Sequence, residues 1–180
     1  MHTRTNVLGV GVSAINMDMA VDTIDTWIRN REQHYVCITG VHGVIESQRD
    51  EVLRCIHNAS GMTAPDGMPL VWLSRLHGQK HVSRVYGPDL MLAVCEASVD
   101  RGYTHYFYGG AEGVTEALAH RLVSRFPGLQ VVGTYSPPFR PLFPDEDEAI
   151  VQLVNEANPD IVWIGLSTPK QEYWMAEHVG

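Results

Sequence analysis

Lysine is almost missing from this chain. Lys80 and Lys170 are the only two among 180 residues, and the formal net charge is −8. A protein that binds duplex nucleic acid needs a stripe of basic residues to neutralise the phosphates, and the sequence contains no such stripe. The composition therefore excludes that class of protein, and we expect no nucleic-acid partner.

Cysteine is also scarce. Cys37, Cys55 and Cys95 lie far apart, and no two of them form a Cys-x-x-Cys pair. An odd number of dispersed cysteines argues against a disulfide framework and against a zinc site. We expect them to be buried free thiols, as in a protein of the reducing cytoplasm.

Long hydrophobic runs are missing as well. Residues 1–20 contain no extended apolar region, so we expect no signal peptide. The apolar runs further along the chain are far shorter than a membrane span requires. If the protein works at a membrane, we expect it to act at the membrane surface.

The sequence instead alternates regularly between β-branched runs and helical patterns, with a hydrophobic share of 44% that is ordinary for a globular domain. Helices are predicted to begin at Gly87, with Gly110–Gly113 and at Lys170. The predicted strands are Asn6–Val12, Tyr35–Ile38, Thr104–Tyr108, Leu129–Tyr135 and Ile161–Gly165. This alternation predicts one Rossmann-like α/β domain over residues 1–180, with a mostly parallel sheet and helices on both faces.

Ligands of such sheets bind beyond the carboxyl ends of the strands. The loops that follow the predicted strands are therefore expected to converge on one cleft. These loops are Thr39–Gly43, Pro65–Pro69, Gly109–Gly113, Tyr135–Pro144 and Leu166–Gln171.

A glycine-rich loop, Gly109–Gly113, follows one of these strands and opens a helix. Glycines there let backbone amides approach a phosphate, although a simple tight turn has the same composition. Dinucleotide-binding proteins use a different glycine spacing and an acidic residue at the end of the next strand. Leu129–Tyr135 ends without an acid, which disfavours a nicotinamide-dependent dehydrogenase.

Asp66 stands in a Pro-Asp-Gly turn after a short apolar run. The turn is either a purely structural feature or the means of presenting one carboxylate at the sheet edge as a general base. Thr39 ends a strand and offers a hydroxyl, and His42 in the next loop is the histidine to watch. Arg84 either clamps a carboxylate or phosphate or pairs with a surface acid such as Asp89.

The acidic run Asp145-Glu146-Asp147 resembles the Asp-x-Asp metal motif of many sugar-nucleotide transferases. It follows Pro144 at a predicted helix start, where the helix dipole favours acids, and Asp145 and Glu148 have the spacing of a capping box. We therefore interpret the run as a helix cap and expect no metal and no cofactor.

These motifs, in this order, resemble the WecG/TagA/CpsF glycosyltransferase family, which includes N-acetylmannosaminyltransferases, and the resemblance covers essentially the whole chain. Each motif is weak alone, but the ordered set is specific. The motifs are Thr39, Pro65-Asp66-Gly67, Arg84-Val-x-Gly87-x-Asp89-Leu90, Phe107-x-Gly109-Gly110, Pro127–Gly133 and Gly165-x-x-x-Pro169-Lys170-Gln171-Glu172.

The resemblance implies an inverting transfer of an N-acetylmannosamine-like sugar from a UDP-sugar to a polyprenyl-diphosphate-linked saccharide. Asp66 falls on the family's proposed base, and Thr39, Arg84 and Gln171 fall on pocket residues. The expected catalytic residues are therefore Asp66 and Thr39. The expected substrate-binding residues are Arg84, Gly87, Asp89, Gly109, Gly110, Gly133, Tyr135, Pro169, Lys170, Gln171 and Glu172.

Two departures from the family pattern keep a rival hypothesis open. Val41 replaces an asparagine that could read a sugar hydroxyl or acetamido group, and the chain ends before a C-terminal appendage whose arginines are thought to bind the diphosphate and the membrane. The rival is a non-catalytic nucleotide-binding or assembly module. For the enzyme we expect a cytoplasmic protein, peripheral at the inner face of the membrane, with a homo-oligomer left open.

Overall fold

A computed structural model describes residues 2–179 of the chain. Within these residues the chain forms seven strands and eight helices. In chain order they are β1 (Arg4–Val7), β2 (Val10–Ser13), α1 (Met17–Asn30), β3 (Val36–Thr39), α2 (Val41–Arg49), α3 (Glu51–Ala59), β4 (Met62–Pro65), α4 (Met68–Leu76), α5 (Gly87–Arg101), β5 (Thr104–Gly109), α6 (Val114–Arg125), β6 (Gln130–Tyr135), α7 (Pro144–Ala157), β7 (Ile161–Gly165) and α8 (Lys170–His178).

The chain divides into two compact units. The first holds the chain up to Met91 together with the segment that starts at Thr168, and the second is Leu92–Ser167. Each unit has parallel strands joined by helices, so the predicted Rossmann-like α/β class and the predicted helix starts are confirmed. The prediction of one domain over the whole chain stays a prediction.

In the first unit, β3 and β4 are parallel, with Val36 opposite Met62 and Thr39 opposite Pro65. The predicted single strand Asn6–Val12 is wrong, because β1 and β2 form an antiparallel hairpin over that segment. Leu8 and Gly9 turn the chain, both with positive φ, as a two-residue hairpin turn requires.

The core of the first unit lies between this hairpin and two helices. Val7, Val10 and Val12 of the hairpin form one buried cluster with Val44 of α2 and Leu70 of α4. Because both helices pack on the same hairpin, they lie beside each other. Their first turns begin directly after β3 and β4.

In the second unit, three parallel strands follow the order β6-β5-β7. The central strand supplies the largest buried side chains, Tyr106, Phe107 and Tyr108, as expected for a strand covered on both faces. Gly133 of β6 lies against the Tyr106 ring, and a Cβ built on it would be 2.3 Å from the ring carbon Cε2. Packing therefore accounts for this glycine.

Two further expectations concern the cysteines and the membrane. Cys37 and Cys95 are buried as expected, but Cys55 is exposed because it lies on the outer side of α3. Among residues 2–179, no helix is both long enough and apolar enough to cross a bilayer.

Gly109 ends β5 in a conformation that only glycine adopts easily, with φ +127°. A Cβ on this residue would lie 2.3 Å from the carbonyl oxygen of Gly165 in the neighbouring strand β7. The backbones of two parallel strands thus approach each other where both strands end.

We expect Gly109→Ala to lower the free energy of unfolding of this protein by more than about 3 kcal/mol, because β7 must move. The control is Gly113→Ala in the same loop, where φ is +80° but nothing lies within 4 Å of the added Cβ. That change should cost about 1–2 kcal/mol for the left-handed backbone alone. Urea unfolding measures both, and equal losses would show that contact with β7 is unimportant.

Candidate functional site

Thr39 and Asp66 lie together at the carboxyl ends of β3 and β4. The register places Thr39 opposite Pro65, and the Asp66 amide donates a hydrogen bond of 3.0 Å to the Thr39 carbonyl. The chain then enters α4 through Gly67. Parallel pairing alone therefore presents the Asp66 carboxylate at the edge where ligands bind such sheets.

Arg84 holds one oxygen of this carboxylate. Its Nη2 and Nε lie 2.9 Å and 3.1 Å from Asp66 Oδ1, and Nε also donates to the Asp66 carbonyl. The guanidinium stacks 4.5 Å above the ring centre of Tyr86. The sequence left open whether Arg84 clamps a ligand or pairs with an acid such as Asp89. In the structure Arg84 pairs with an acid, and that acid is Asp66.

The other oxygen of Asp66, Oδ2, takes part in no hydrogen bond or ion pair among residues 2–179. The side chain is 28% exposed. One oxygen is thus fixed while the second is accessible, and a carboxylate oxygen in this state can accept a proton from a positioned hydroxyl.

Buried polar atoms lie under this edge of the sheet. Thr39 is 1% exposed, and its hydroxyl has no hydrogen-bond partner among the described residues. The same is true of Nε2 of His57, a fully buried histidine of α3. Both side chains approach Gly43, since a Cβ there would lie 3.1 Å from Thr39 Cγ2 and 3.6 Å from His57 Nε2. Burial lowers the pKa of His57, which favours the neutral imidazole.

Sequence reasoning missed His57. It lies on the apolar side of α3, between Leu53 and Ser60, and has the pattern of an ordinary core position. Its Nδ1 lies 3.0 Å from the Leu53 carbonyl. His42, the histidine singled out from the sequence, lies exposed in the first turn of α2.

Glu172 is 1% exposed and holds the start of α8 from inside. Its Oε1 accepts hydrogen bonds from Thr168 Oγ1 at 2.9 Å and from Gln171 Nε2 at 3.4 Å, whereas Oε2 has no partner among the described residues. Glu172 therefore positions Gln171 from within the protein.

Burial and the nearby Glu172 carboxylate raise the pKa of the Cys37 thiol to about 12, so this cysteine is inert.

The segment that carries Gln171 is also fixed from the other side. The Tyr173 hydroxyl donates a 2.5 Å hydrogen bond to Asp50, which caps α3. Pro169 is the N-cap of α8, and Lys170 is its first residue and exposed.

Two helix N-termini stand next to Asp66. Gly40 and Gly67 are the N-cap residues of α2 and α4, and within the described chain no side chain caps either helix. A Cβ built on Gly67 would be 3.6 Å from the Val41 nitrogen and 3.7 Å from Gly40 Cα, so the two first turns are adjacent. Uncapped amides and two helix dipoles make this position favourable for an anion.

Two more of the predicted residues lie at the start of α5. Gly87 is its first residue and approaches Ile38 of β3, 3.5 Å from the position of an added Cβ. Asp89 lies exposed in the first turn of this helix.

The remaining predicted site residues lie in the second unit. The Gly110 amide donates to the Gly165 carbonyl at 3.0 Å, and Ser136 Oγ donates to the carbonyls of Gly109 and Ala111. The glycine loop is therefore fixed from within the unit. Because the Gly110 amide is already bonded, a phosphate at this loop would have to accept hydrogen bonds from the amides that follow Gly110. Tyr135 ends β6 with its ring 6.2 Å from that of Tyr108.

The acidic run at the start of α7 is a cap, although not the predicted one. The Phe143 amide donates to Glu146 at 2.9 Å, so the capping acid is Glu146 and the predicted Asp145–Glu148 spacing is wrong. Both terminal nitrogens of Arg140 lie 2.7 Å from the same carboxylate. Arg140 lowers the pKa of Glu146 to about 2, so this acid is ionised and already paired at neutral pH.

Residues 5–180 of the chain match the model of the glycosyl transferase WecG/TagA/CpsF family. The chain belongs to this family. The resemblance based on the ordered motifs is confirmed, and the family is one of glycosyltransferases.

Two curated relatives carry the name N-acetylglucosaminyldiphosphoundecaprenol N-acetyl-beta-D-mannosaminyltransferase. The chain is 26% identical to the protein of Bacillus spizizenii (strain ATCC 23059 / NRRL B-14472 / W23) over 133 residues, which are 74% of this chain and 50% of the relative. It is 25% identical to the protein of Staphylococcus aureus (strain NCTC 8325 / PS 47) over 178 residues, which are 97% of this chain and 68% of the relative. The chain thus spans half to two thirds of these proteins.

We expect Glu172→Ala to lower the free energy of unfolding by about 1–3 kcal/mol, because Thr168 and Gln171 lose their buried acceptor. Glu177→Ala is the control, since Glu177 lies exposed on the same helix. That change should stay within about 0.5 kcal/mol. Urea unfolding of both variants measures the difference. A Glu172 variant as stable as the control would show that the buried carboxylate does not hold α8.

Proposed function

We propose that the chain is the catalytic core of a transferase that moves an N-acetylmannosamine-like sugar from a UDP-sugar to a polyprenyl-diphosphate-linked saccharide. Family membership supports sugar transfer, and the names of the two relatives support the sugar and the lipid-linked acceptor. The observation that carries the proposal is the state of Asp66, with Oδ1 held by Arg84 and Oδ2 accessible.

In this mechanism Asp66 acts as the general base. An acceptor hydroxyl attacks the anomeric carbon of the donor, and its proton passes to Asp66 Oδ2. The new carbon–oxygen bond forms as the bond from the sugar to the diphosphate breaks, so UDP leaves with the electron pair. A single displacement of this kind inverts the anomeric configuration. Arg84 keeps Asp66 Oδ1 in place throughout, which leaves Oδ2 directed to one position.

The leaving diphosphate needs stabilisation of its negative charge. In the first unit, the adjacent uncapped N-termini of α2 and α4 support such a role, because they begin beside Asp66. Separately, the amides after Gly110 and the residues around Gly133 and Tyr135 in the second unit stay predicted donor-binding groups. Amides and helix dipoles would take the place of a metal ion, and Asp145–Asp147 would remain a cap.

Further polar groups of the first unit would position the two substrates. Gln171, held by Glu172, and the first turn of α5 with Gly87 and Asp89 are the polar groups that we assign to substrate binding. Val41, where the family has an asparagine, is exposed in the first turn of α2. Without an amide at this position, the sugar must be recognised by other groups.

The acceptor determines where the enzyme works. A polyprenyl-diphosphate-linked saccharide is anchored in the membrane, so we propose that the protein is peripheral at the cytoplasmic face. The resemblance assigns part of this contact to a C-terminal appendage.

We expect Asp66→Asn to reduce turnover by roughly 10²–10⁴-fold, the usual contribution of a positioned base, with little change in UDP-sugar binding. Asparagine keeps the turn because both residues favour it. Asp145→Asn, at an exposed position of α7, is the control and should leave turnover unchanged. Radiolabelled transfer to a polyprenyl-diphosphate acceptor measures turnover in both variants and in the wild type. Turnover retained in Asp66→Asn would make Asp66 a turn residue, and wild-type chains that bind donor without transfer would support the non-catalytic module.

We expect UDP to bind this chain equally well with and without a chelator, because amides and helix N-termini carry the diphosphate. Isothermal calorimetry with UDP in EDTA, and then with added Mg²⁺, measures the dissociation constant in both states. The proposed metal-free mechanism would be contradicted by binding that requires the cation.

A further inference from the structure

Helix α4 exposes apolar side chains on the side that faces away from its core. Leu70, Val71 and Ser74 form its buried side. A surface helix normally carries polar residues on the opposite side. On α4 that side instead carries Trp72, which is 57% exposed, and Leu76, which is 82% exposed.

The exposed apolar surface continues onto α2. Val41 and Ile45 lie one helical turn apart on α2 and are both exposed. The Val41 nitrogen is 3.6 Å from a Cβ built on Gly67, so the first turns of α2 and α4 adjoin. We refer to the combined surface as the apolar face, which consists of Val41, Ile45, Met68, Trp72, Leu73 and Leu76.

On the α4 side of the apolar face the charge has the opposite sign to that of the whole chain, whereas α2 carries Glu46 next to Ile45. From Gly67 to Pro88 there is no aspartate or glutamate, whereas the segment contains Arg75, Lys80 and Arg84, in a chain of net charge −8. Arg75 Nε donates to the Val82 carbonyl at 2.8 Å, which holds this basic segment against α4. Arg84 is paired with Asp66, so Arg75 and Lys80 are the cations beside the apolar face.

The apolar face also lies next to the candidate base. Asp66 immediately precedes Gly67, the N-cap residue of α4, and Met68 is the first residue of the helix. A surface that binds the apolar face would therefore be close to Asp66. The acceptor in the proposed function is attached to a lipid by its diphosphate.

We propose that the apolar face docks on an anionic lipid bilayer. Trp72 and Leu76 enter the interfacial region, where tryptophan is favoured, and Arg75 and Lys80 face the lipid phosphates. This docking rests on the proposed function for its purpose, but lipid binding itself needs neither donor nor acceptor. A second copy of the chain fits less well, because a symmetric contact would bring the two basic segments together.

Flotation of the chain with vesicles of phosphatidylcholine containing a minority of phosphatidylglycerol tests the proposal. We expect the chain to float with these vesicles. The double variant Trp72→Ser, Leu76→Ser should bind the vesicles at least roughly tenfold more weakly, because it lacks the two apolar side chains that docking buries in the bilayer. The control is Leu153→Ser, at an apolar position on α7 that is 46% exposed, which should bind as the wild type does.

A charge variant tests the anionic component. Arg75→Gln with Lys80→Gln should weaken binding to phosphatidylglycerol vesicles by roughly tenfold or more, at about 1 kcal/mol per charge. The same variant should bind pure phosphatidylcholine vesicles as the wild type does. Equal losses on both kinds of vesicle would overturn the role of the lipid charge.

Three results would overturn the docking itself. One is no flotation of the wild-type chain, and a second is flotation that both serine substitutions leave unchanged. The third is a wild-type dimer in sedimentation equilibrium that the serine variant converts to a monomer, since the apolar face would then be a self-interface. UDP calorimetry on the same variants separates the two proposals, because failed docking with intact UDP binding contradicts only the membrane contact.

Discussion

The parallel pairing of β3 with β4 determines where the polar groups of the candidate site lie. Thr39 is opposite Pro65, and the next amide, that of Asp66, donates to the Thr39 carbonyl. The Val85 amide donates to the Pro65 carbonyl at 2.9 Å, which brings Arg84 back to the same edge. Three segments that are distant in sequence are therefore joined by backbone hydrogen bonds. The side chains of Asp66 and Arg84 meet because these bonds bring both residues to the same edge of the sheet.

The unpaired polar atoms beneath this edge carry an energetic cost. Thr39 Oγ1, His57 Nε2 and Glu172 Oε2 are all buried without a hydrogen-bond partner among residues 2–179. A buried group without a partner costs about 1–3 kcal/mol, and native proteins contain few of them. Glu172 also raises the pKa of His57, against the larger effect of burial. With Thr5 Oγ1 and Ser74 Oγ, five such groups lie in the described part of the first unit, so unpaired polar atoms are not confined to the edge that carries Asp66.

From the sequence we could predict the fold class and the strand ends where polar groups lie, and the roles of those groups stay predictions. Pro-Asp-Gly, Arg84 and the Pro-Lys-Gln-Glu segment were recognisable because turn residues and charges at strand ends have few structural uses. The hairpin over Asn6–Val12 was missed because valines on both sides of Leu8-Gly9 have the pattern of one strand. The burial of Thr39 and Glu172 depends on tertiary packing, which no local sequence pattern encodes. The apolar face of α4 would be assigned to a core from sequence alone, and only the structure shows that it is exposed.

We propose that Arg84 acts on catalysis through Asp66. A double-mutant cycle tests this coupling, with turnover measured for Asp66→Asn, Arg84→Gln and the combined variant. Because Arg84 fixes the carboxylate oxygen that does not take the proton, we expect Arg84→Gln to reduce turnover in the wild type. The same change should have almost no further effect once Asp66 is asparagine. Losses that simply multiply would contradict the account, since Arg84 would then contribute independently of Asp66.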